Sequence, residues 1–262
     1  LRVGLEKSRN LMTVRIAQNL GVDKVANFSE ELNIYQNPEQ LLSISLGSAE
    51  TTLLNLTSAY SAFVNGGKLV SPIIIDRIQD SEGNTVVNNE KRKCLNCNKI
   101  SFTGKEYPQI IDNQKQVFSP QTAYQITSIL EGVIERGTGK KLRNLDLNIA
   151  GKTGTTNENT DAWFIGFTSN LVIGVYVGMD DPSPLGKFET GSKTALPIFK
   201  NFIQSAIKKS EARPFKVSEG ITMMVVDSLT GQKAKFTSKN TILEAYKSKN
   251  VIDGEIIYSN NN

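Results

Sequence analysis

Three strand-like runs stand close together at residues 149–155, 162–168 and 171–178, and only Ser169-Asn170 separates the last two. Parallel neighbours need a crossover of roughly a dozen residues, so links this short predict antiparallel pairing. Residues 194–208 then place Leu196, Phe199, Phe202, Ile203 and Ile207 on one side of a helical period. That is the pattern of a helix laid on a core. The expected architecture is α/β, an antiparallel sheet flanked by helices.

Upstream the pattern is mostly helical. Residues 5–20 read as helix, break and helix, with Ser8 as a cap and Met12, Ile16 and Leu20 recurring every four residues. Gly21 is a stop signal. A short helix is expected at 30–34, a Ser/Gly loop at 43–48, and a helix at 51–64 ended by Asn65-Gly66-Gly67. Residues 68–78 read as a strand that turns at 80–83 and returns through 85–87. Residues 91–110 read as a polar surface loop. Ser119-Pro120 opens the next helix, which ends at Arg136-Gly137-Thr138-Gly139, read as a flexible glycine pair. After Pro214 the composition shifts, and 221–226 with 233–236 suggest a hairpin, followed by a frayed tail at 259–262. Residues 1–212 are therefore expected to form one unit and 213–262 a small C-terminal hairpin and tail extension.

The 262 residues are 39% hydrophobic and 21% charged, a balance that fits a globular body. The longest apolar runs, such as 171–177, are far too short to span a bilayer. Lys and Arg outnumber Asp and Glu by 30 to 26. Aromatic residues do not interleave with the basic ones, so nucleic acid is not an expected partner. The chain opens in what already reads as helix and without a signal segment, so its natural N-terminus is expected upstream of Leu1.

There is no histidine. A Ser-His-Asp triad is excluded, and acid–base chemistry must run on Ser, Lys and carboxylates. Cys94 and Cys97 are the only cysteines. They supply two of the four ligands of a zinc site, with no histidine to complete it. A short-range disulfide and two free thiols both remain open.

Lys152-Thr153-Gly154-Thr155 closes the first strand of the sheet. A lysine partly removed from water has a more accessible neutral form. When charged it holds a carboxylate and stabilises developing negative charge. Thr153 and Thr155 share a strand face, so their hydroxyls can bind one carboxylate. Gly154 lets a peptide backbone come close, and a strand edge can pair with an extended peptide. Near the chain start, Ser8 can relay a proton and the Asn10 amide can hold a carbonyl. The plainer alternative is a helix cap at Ser8, a solvated Asn10 and a surface lysine on a strand.

In this order and context, these residues resemble the transpeptidase domain of class A penicillin-binding proteins, which share a three-motif set with serine β-lactamases. Ser8-Arg9-Asn10 resembles the second motif and Lys152-Thr153-Gly154-Thr155 the third. Leu46-Gly47-Ser48-Ala49-Glu50, Gly137-Thr138-Gly139, Asp161-Ala162-Trp163-Phe164 and Thr190-Gly191 extend the resemblance over most of residues 1–210. It implies a penicillin-binding-protein/serine β-lactamase-like fold and acyl transfer on peptidoglycan stem peptides ending in D-Ala-D-Ala. β-Lactams would act as mimics, the location would be periplasmic, and no metal or organic cofactor would be needed. In that scheme Ser8 relays protons, Asn10 binds the substrate amide, and Lys152 orients Ser8 and attracts the carboxylate. Thr153 and Thr155 bind that carboxylate, and the Thr155 N–H supplies half of an oxyanion hole.

The family's first motif, Ser-x-x-Lys, does not appear where its order requires. Ser205-Ala206-Ile207-Lys208 follows the Lys-Thr-Gly strand and reads as coincidence. The expectation is thus a partial domain without its first strands, nucleophile helix and N-terminal membrane anchor. Such a piece is expected to be inactive and poorly stable alone, with the upstream half of the same protein as a partner. Two other readings stay open: a binding module that docks on a partner chain, and a β-lactamase or D,D-carboxypeptidase relative.

Overall fold

A computed structural model of the protein describes residues 1–90, 92–97, 107–252 and 255–256. The chain opens with α1 (Arg2–Glu6) and α2 (Asn10–Leu20). The break falls where the sequence placed it, but Ser8 is not a cap. Arg9 holds the cap position of α2 without a side-chain bond, and Ser8 has a φ of 52°. The Met12, Ile16 and Leu20 stripe is not a core seam either. Leu20 is 54% exposed, and Ala17 is the buried residue of α2. Helix α3 (Val22–Glu31) is much longer than the 30–34 segment expected. Its cap is Gly21, which offers no side-chain acceptor, and so its start carried no signal. In α4 (Leu53–Val64) the Thr52 hydroxyl accepts from the Asn55 N–H at 3.1 Å, a normal cap.

The strand expected over 68–78 shrinks to β1 (Arg77–Gln79), which pairs with β2 (Thr85–Asn88). Pro72 cannot donate to a ladder, and Ile73, Ile74 and Ile75 are exposed. The region expected as a loop holds a short pair, β3 (Lys93–Leu95) with β4 (Gln109–Ile111). Cys94 and Cys97 are joined there as a disulfide. Residues 91 and 98–106 of that region, and the expected tail at 259–262, lie outside the described residues.

Helix α5 (Pro120–Glu135) starts as read, with the Ser119 hydroxyl accepting from the Thr122 N–H at 3.2 Å and Pro in the first turn. The central sheet follows as β5 (Ala150–Thr155), β6 (Ala162–Phe167) and β7 (Val172–Val177), all antiparallel in that order. Its register places Lys152 opposite Ile165 and Gly154 opposite Trp163. Side chains alternate between faces, so two cores form. On one face Phe164 packs against Leu196, Phe199 and Ile203 of α6 (Ala195–Ala206). The Phe164 and Phe199 rings meet edge to face at 4.7 Å. On the other face Ala150 and Phe167 pack against Leu130 and Val133 of α5 and against Phe215. Each buried Phe stabilises the fold by about 1.5–3 kcal/mol. Lys152 shares a face with Ala150, toward the helices that carry Ser8.

The C-terminal hairpin is wider than expected. β8 (Ile221–Asp227) pairs with β9 (Thr241–Lys247) along seven residue pairs. The segment expected to return, 233–236, makes a single bridge from Lys233 to Val226. Phe236 is fully exposed, so the alternation there has nothing to bury.

Candidate active site

The two motifs meet. Lys152 Nζ donates to Ser8 Oγ at 2.7 Å, across 144 residues of chain, and to the Thr153 carbonyl at 2.8 Å. The ammonium has three donors, so one is left for a ligand. Lys152 is half-buried, and burial lowers its amine to about 8. A share of neutral amine is thus present near neutral pH.

Ser8 is exposed and sits in the left-handed region that non-glycine residues seldom enter. Its N–H donates to the Leu5 carbonyl at 3.1 Å, and the Arg9 N–H donates to the Gly4 carbonyl at 2.8 Å. The turn out of α1 therefore aims the hydroxyl at the strand instead of at a helix N-terminus. Asn10 is the first residue of α2 and is exposed. Among the described residues its side-chain amide has no partner and is open to one.

The two threonines are less free than their spacing suggested. Thr153 is buried, and its hydroxyl lies 2.8 Å from the Thr138 hydroxyl. The Thr155 hydroxyl accepts from the Gly191 N–H at 3.0 Å. That bond occupies an acceptor position only, so the Thr155 O–H remains able to donate. Gly154 also meets a packing need within the sheet. A Cβ there would come within 3.0 Å of Trp163 Cβ, so the glycine makes room for its cross-strand neighbour. The Trp163 ring centre lies 4.6 Å from that of Tyr176, whose hydroxyl donates to Asp161 at 3.0 Å. Among the described residues β5 is an edge strand, paired only with β6.

Sequence reasoning named Thr138, Gly191 and Gly137 within the resemblance but gave them no role at the site. The stretch around Thr138 was read as flexible, yet it is pinned. The Gly137 N–H donates to the Gly132 and Val133 carbonyls at 3.1 Å each, and a Cβ on Gly137 would lie 2.2 Å from the Glu6 carbonyl oxygen. The signal was present in the glycine, which permits that close approach of α1. Ser205 donates to the Asn201 carbonyl of its own helix at 3.2 Å, and Lys208 lies past the helix end at Ile207. Among the described residues no group of acidic, Cys or His side chains could hold a metal. A cleft of about 400 Å³ lies elsewhere, lined by Tyr35, Asn55, Ser58 and Pro72, and includes none of these motif residues.

The sequence pattern of the penicillin binding protein transpeptidase domain matches residues 1–204. The chain is 41% identical to penicillin-binding protein 1A of Rickettsia bellii over 270 residues, covering 100% of this chain and 34% of that protein. It is 43% identical to the Rickettsia conorii protein of the same name, covering 96% of this chain and 32% of that one. The crystal structure of penicillin-binding protein 1A from Haemophilus influenzae superposes with a TM-score of 0.79 at 30% identity, covering 98% of this chain and 40% of that one. This chain belongs to the penicillin-binding-protein transpeptidase family, as its motifs suggested, and has that family's fold. It spans about a third of the length of the curated relatives it matches.

Proposed function

We propose that this chain supplies one side of the catalytic groove of a peptidoglycan D,D-transpeptidase, which cross-links stem peptides by serine acyl transfer. One observation carries the reading: the hydrogen bond between Lys152 and Ser8, which joins two family motifs from opposite parts of the chain. Ser8 is the proton relay to the leaving amine, and Lys152 sets its direction and its proton affinity. The free N–H of Lys152 and the O–H of Thr155 meet the terminal carboxylate of a D-Ala-D-Ala end, while the Thr153 hydroxyl is held by Thr138. Asn10 holds the donor amide, and the Thr155 N–H stabilises the tetrahedral oxyanion. The open edge of β5 takes the extended stem peptide as an added strand. Gly154 lets the peptide backbone approach that edge closely.

The acylated serine belongs to a Ser-x-x-Lys element, and Ser205-Ala206-Ile207-Lys208 is not that element. β-Lactams are ligands of the same groove. Residues 1–212 form the transpeptidase part and 213–262 the appendage. The site works on the periplasmic side. Among the described residues no helix is long and apolar enough to cross a membrane.

Calorimetric titration of the 262-residue chain with a peptide ending in D-Ala-D-Ala tests this reading, using the free acid and the C-terminal amide. The acid is expected to bind and the amide to bind at least about tenfold more weakly, since a charged hydrogen bond contributes about 1.5–3 kcal/mol. Equal affinity for both, or none for either, contradicts it. A fluorescent penicillin is expected to leave no covalent label on the chain, and a label on Ser205 would reassign the nucleophile.

A further inference from the structure

What keeps Ser8 in place is not α1 itself. A five-residue helix is far below the length at which a helix holds its own shape. Yet Ser8 and Arg9 are bonded to α1 carbonyls, so Ser8 goes where α1 goes. Two buried charged side chains fix that helix. At its C-terminal end Glu6 pairs with Arg136 at 2.6 Å, and the Glu6 carbonyl accepts from the Thr138 N–H at 3.3 Å. At its N-terminal end Arg2 is 6% exposed. Arg2 donates to the carbonyl and hydroxyl of Ser128 on α5, at 2.8 and 3.0 Å. Its Nε and second terminal nitrogen fork onto both carboxylate oxygens of Glu244, at 2.5 Å each.

Glu244 lies on β9, beyond residue 204, where the family match ends. The same strand is tied to α5 by Gln125, which donates to the Ala245 carbonyl at 2.9 Å. The other acidic groups near Arg2 do not replace Glu244. Glu6 approaches at 3.5 Å and is already paired with Arg136. Burial pushes the Glu131 carboxyl up to about 7, which weakens its claim on Arg2. A planar fork on a carboxylate fixes orientation as well as distance, and removing one partner strands a buried charge.

We propose that the Arg2–Glu244 fork makes the C-terminal hairpin a positioning element for the Ser8–Lys152 contact. Arg2 and Glu244 act through α1 and do not touch substrate. This deepens the transpeptidase reading and rests on it for its purpose, but its test stands apart from that reading.

The test uses the 262-residue chain and the variant Glu244→Gln, which keeps the side-chain size and removes the charge. The readout is the pH profile of acylation at Lys152 by limiting acetic anhydride, followed by mass spectrometry. In the parent chain the profile is expected near 8. In Glu244→Gln, α1 loosens, water reaches the amine, and the midpoint rises by about one unit. Glu244→Asp is expected to fall between the two. A purely structural role would lower Tm and leave the folded-state profile unmoved, and that result overturns the proposal. So does a parent profile already at the ordinary lysine value. If Glu244→Gln does not fold, Arg2→Lys is read in the same way, because it keeps the charge and loses the fork. An upward shift supports the proposal and an unmoved profile overturns it. Failure of the parent chain to bind the D-Ala-D-Ala acid would sink the transpeptidase reading and leave this profile to decide the clamp.

Discussion

The sheet of β5, β6 and β7 and the arm of β1 to β4 are written in similar letters and behave differently. Both are rich in Ile, Val and Phe or Leu. In β6 five of six residues are buried, whereas every residue of β1, β2, β3 and β4 is exposed. β-Branched sequence makes a strand possible, but burial needs a helix face to meet it. α5 and α6 provide two such faces for the sheet, and the arm has none. The difference matters for chemistry, because excluding water lowers a lysine amine. Lys152 is on the sheet and its amine is lowered, while Lys68, near the base of the arm, forms an exposed ion pair with Asp112.

The largest effects should come from the buried strand. Phe164→Ala or Phe199→Ala is expected to cost about 3–5 kcal/mol in urea unfolding, enough to unfold a marginal domain. Ile74→Ala in the arm, at a residue 91% exposed, should change stability by less than about 0.5 kcal/mol. Equal costs would erase the contrast.

Gly137→Ala comes next. The new Cβ would press on the Glu6 carbonyl, and overpacking of this kind costs about 1–3 kcal/mol. Because α1 must move, the Lys152 amine should also return toward the ordinary lysine range, which the acylation profile reads directly. Ser119→Ala, which removes the cap of α5, should cost about 1 kcal/mol. It should leave that profile unchanged.

The pH dependence is smaller. Lys152 is lowered in the folded chain, so between about 8 and the unfolded value of 10.5 the unfolded chain binds more protons. Stability from this group therefore rises with pH across that window and is flat below it. Lys152→Met should remove the rise, as followed by thermal unfolding at stepped pH. Smallest of all, reducing the Cys94–Cys97 disulfide should alter hydrogen exchange in β3 and β4 and leave the main melt in place, since that arm shares none of the buried core.

Much of this molecule was legible in advance where local chemistry and burial agree. The cap at Ser119-Pro120 and the short links of the sheet each state one outcome, and each was met; on the apolar side of α6 Leu196, Phe199 and Ile203 are buried as expected, but Phe202 is 53% exposed. The misreadings fall where only tertiary context decides. Leu20 fits a helical stripe but meets no partner, and residues 68–76 have strand letters with no face to cover. Residues 221–226 form a strand as read, but the partner strand comes later, at 241–247. For the site, the motif resemblance marked Ser8 and Lys152 but could not reveal that Thr138 holds Thr153, or that Glu244 of β9 grips the first helix. Those are contacts between remote segments, and nothing local records them.

The most direct test of the central contact uses Ser8→Cys, in which the substituted thiol is the only free one, since Cys94 and Cys97 are paired. A thiol beside an ammonium titrates below its ordinary value of about 8.5. The account predicts a midpoint about one unit lower, read from the rate of iodoacetamide alkylation against pH, and its return to the ordinary value when Lys152→Met is added. The same midpoint with and without Lys152 would contradict it.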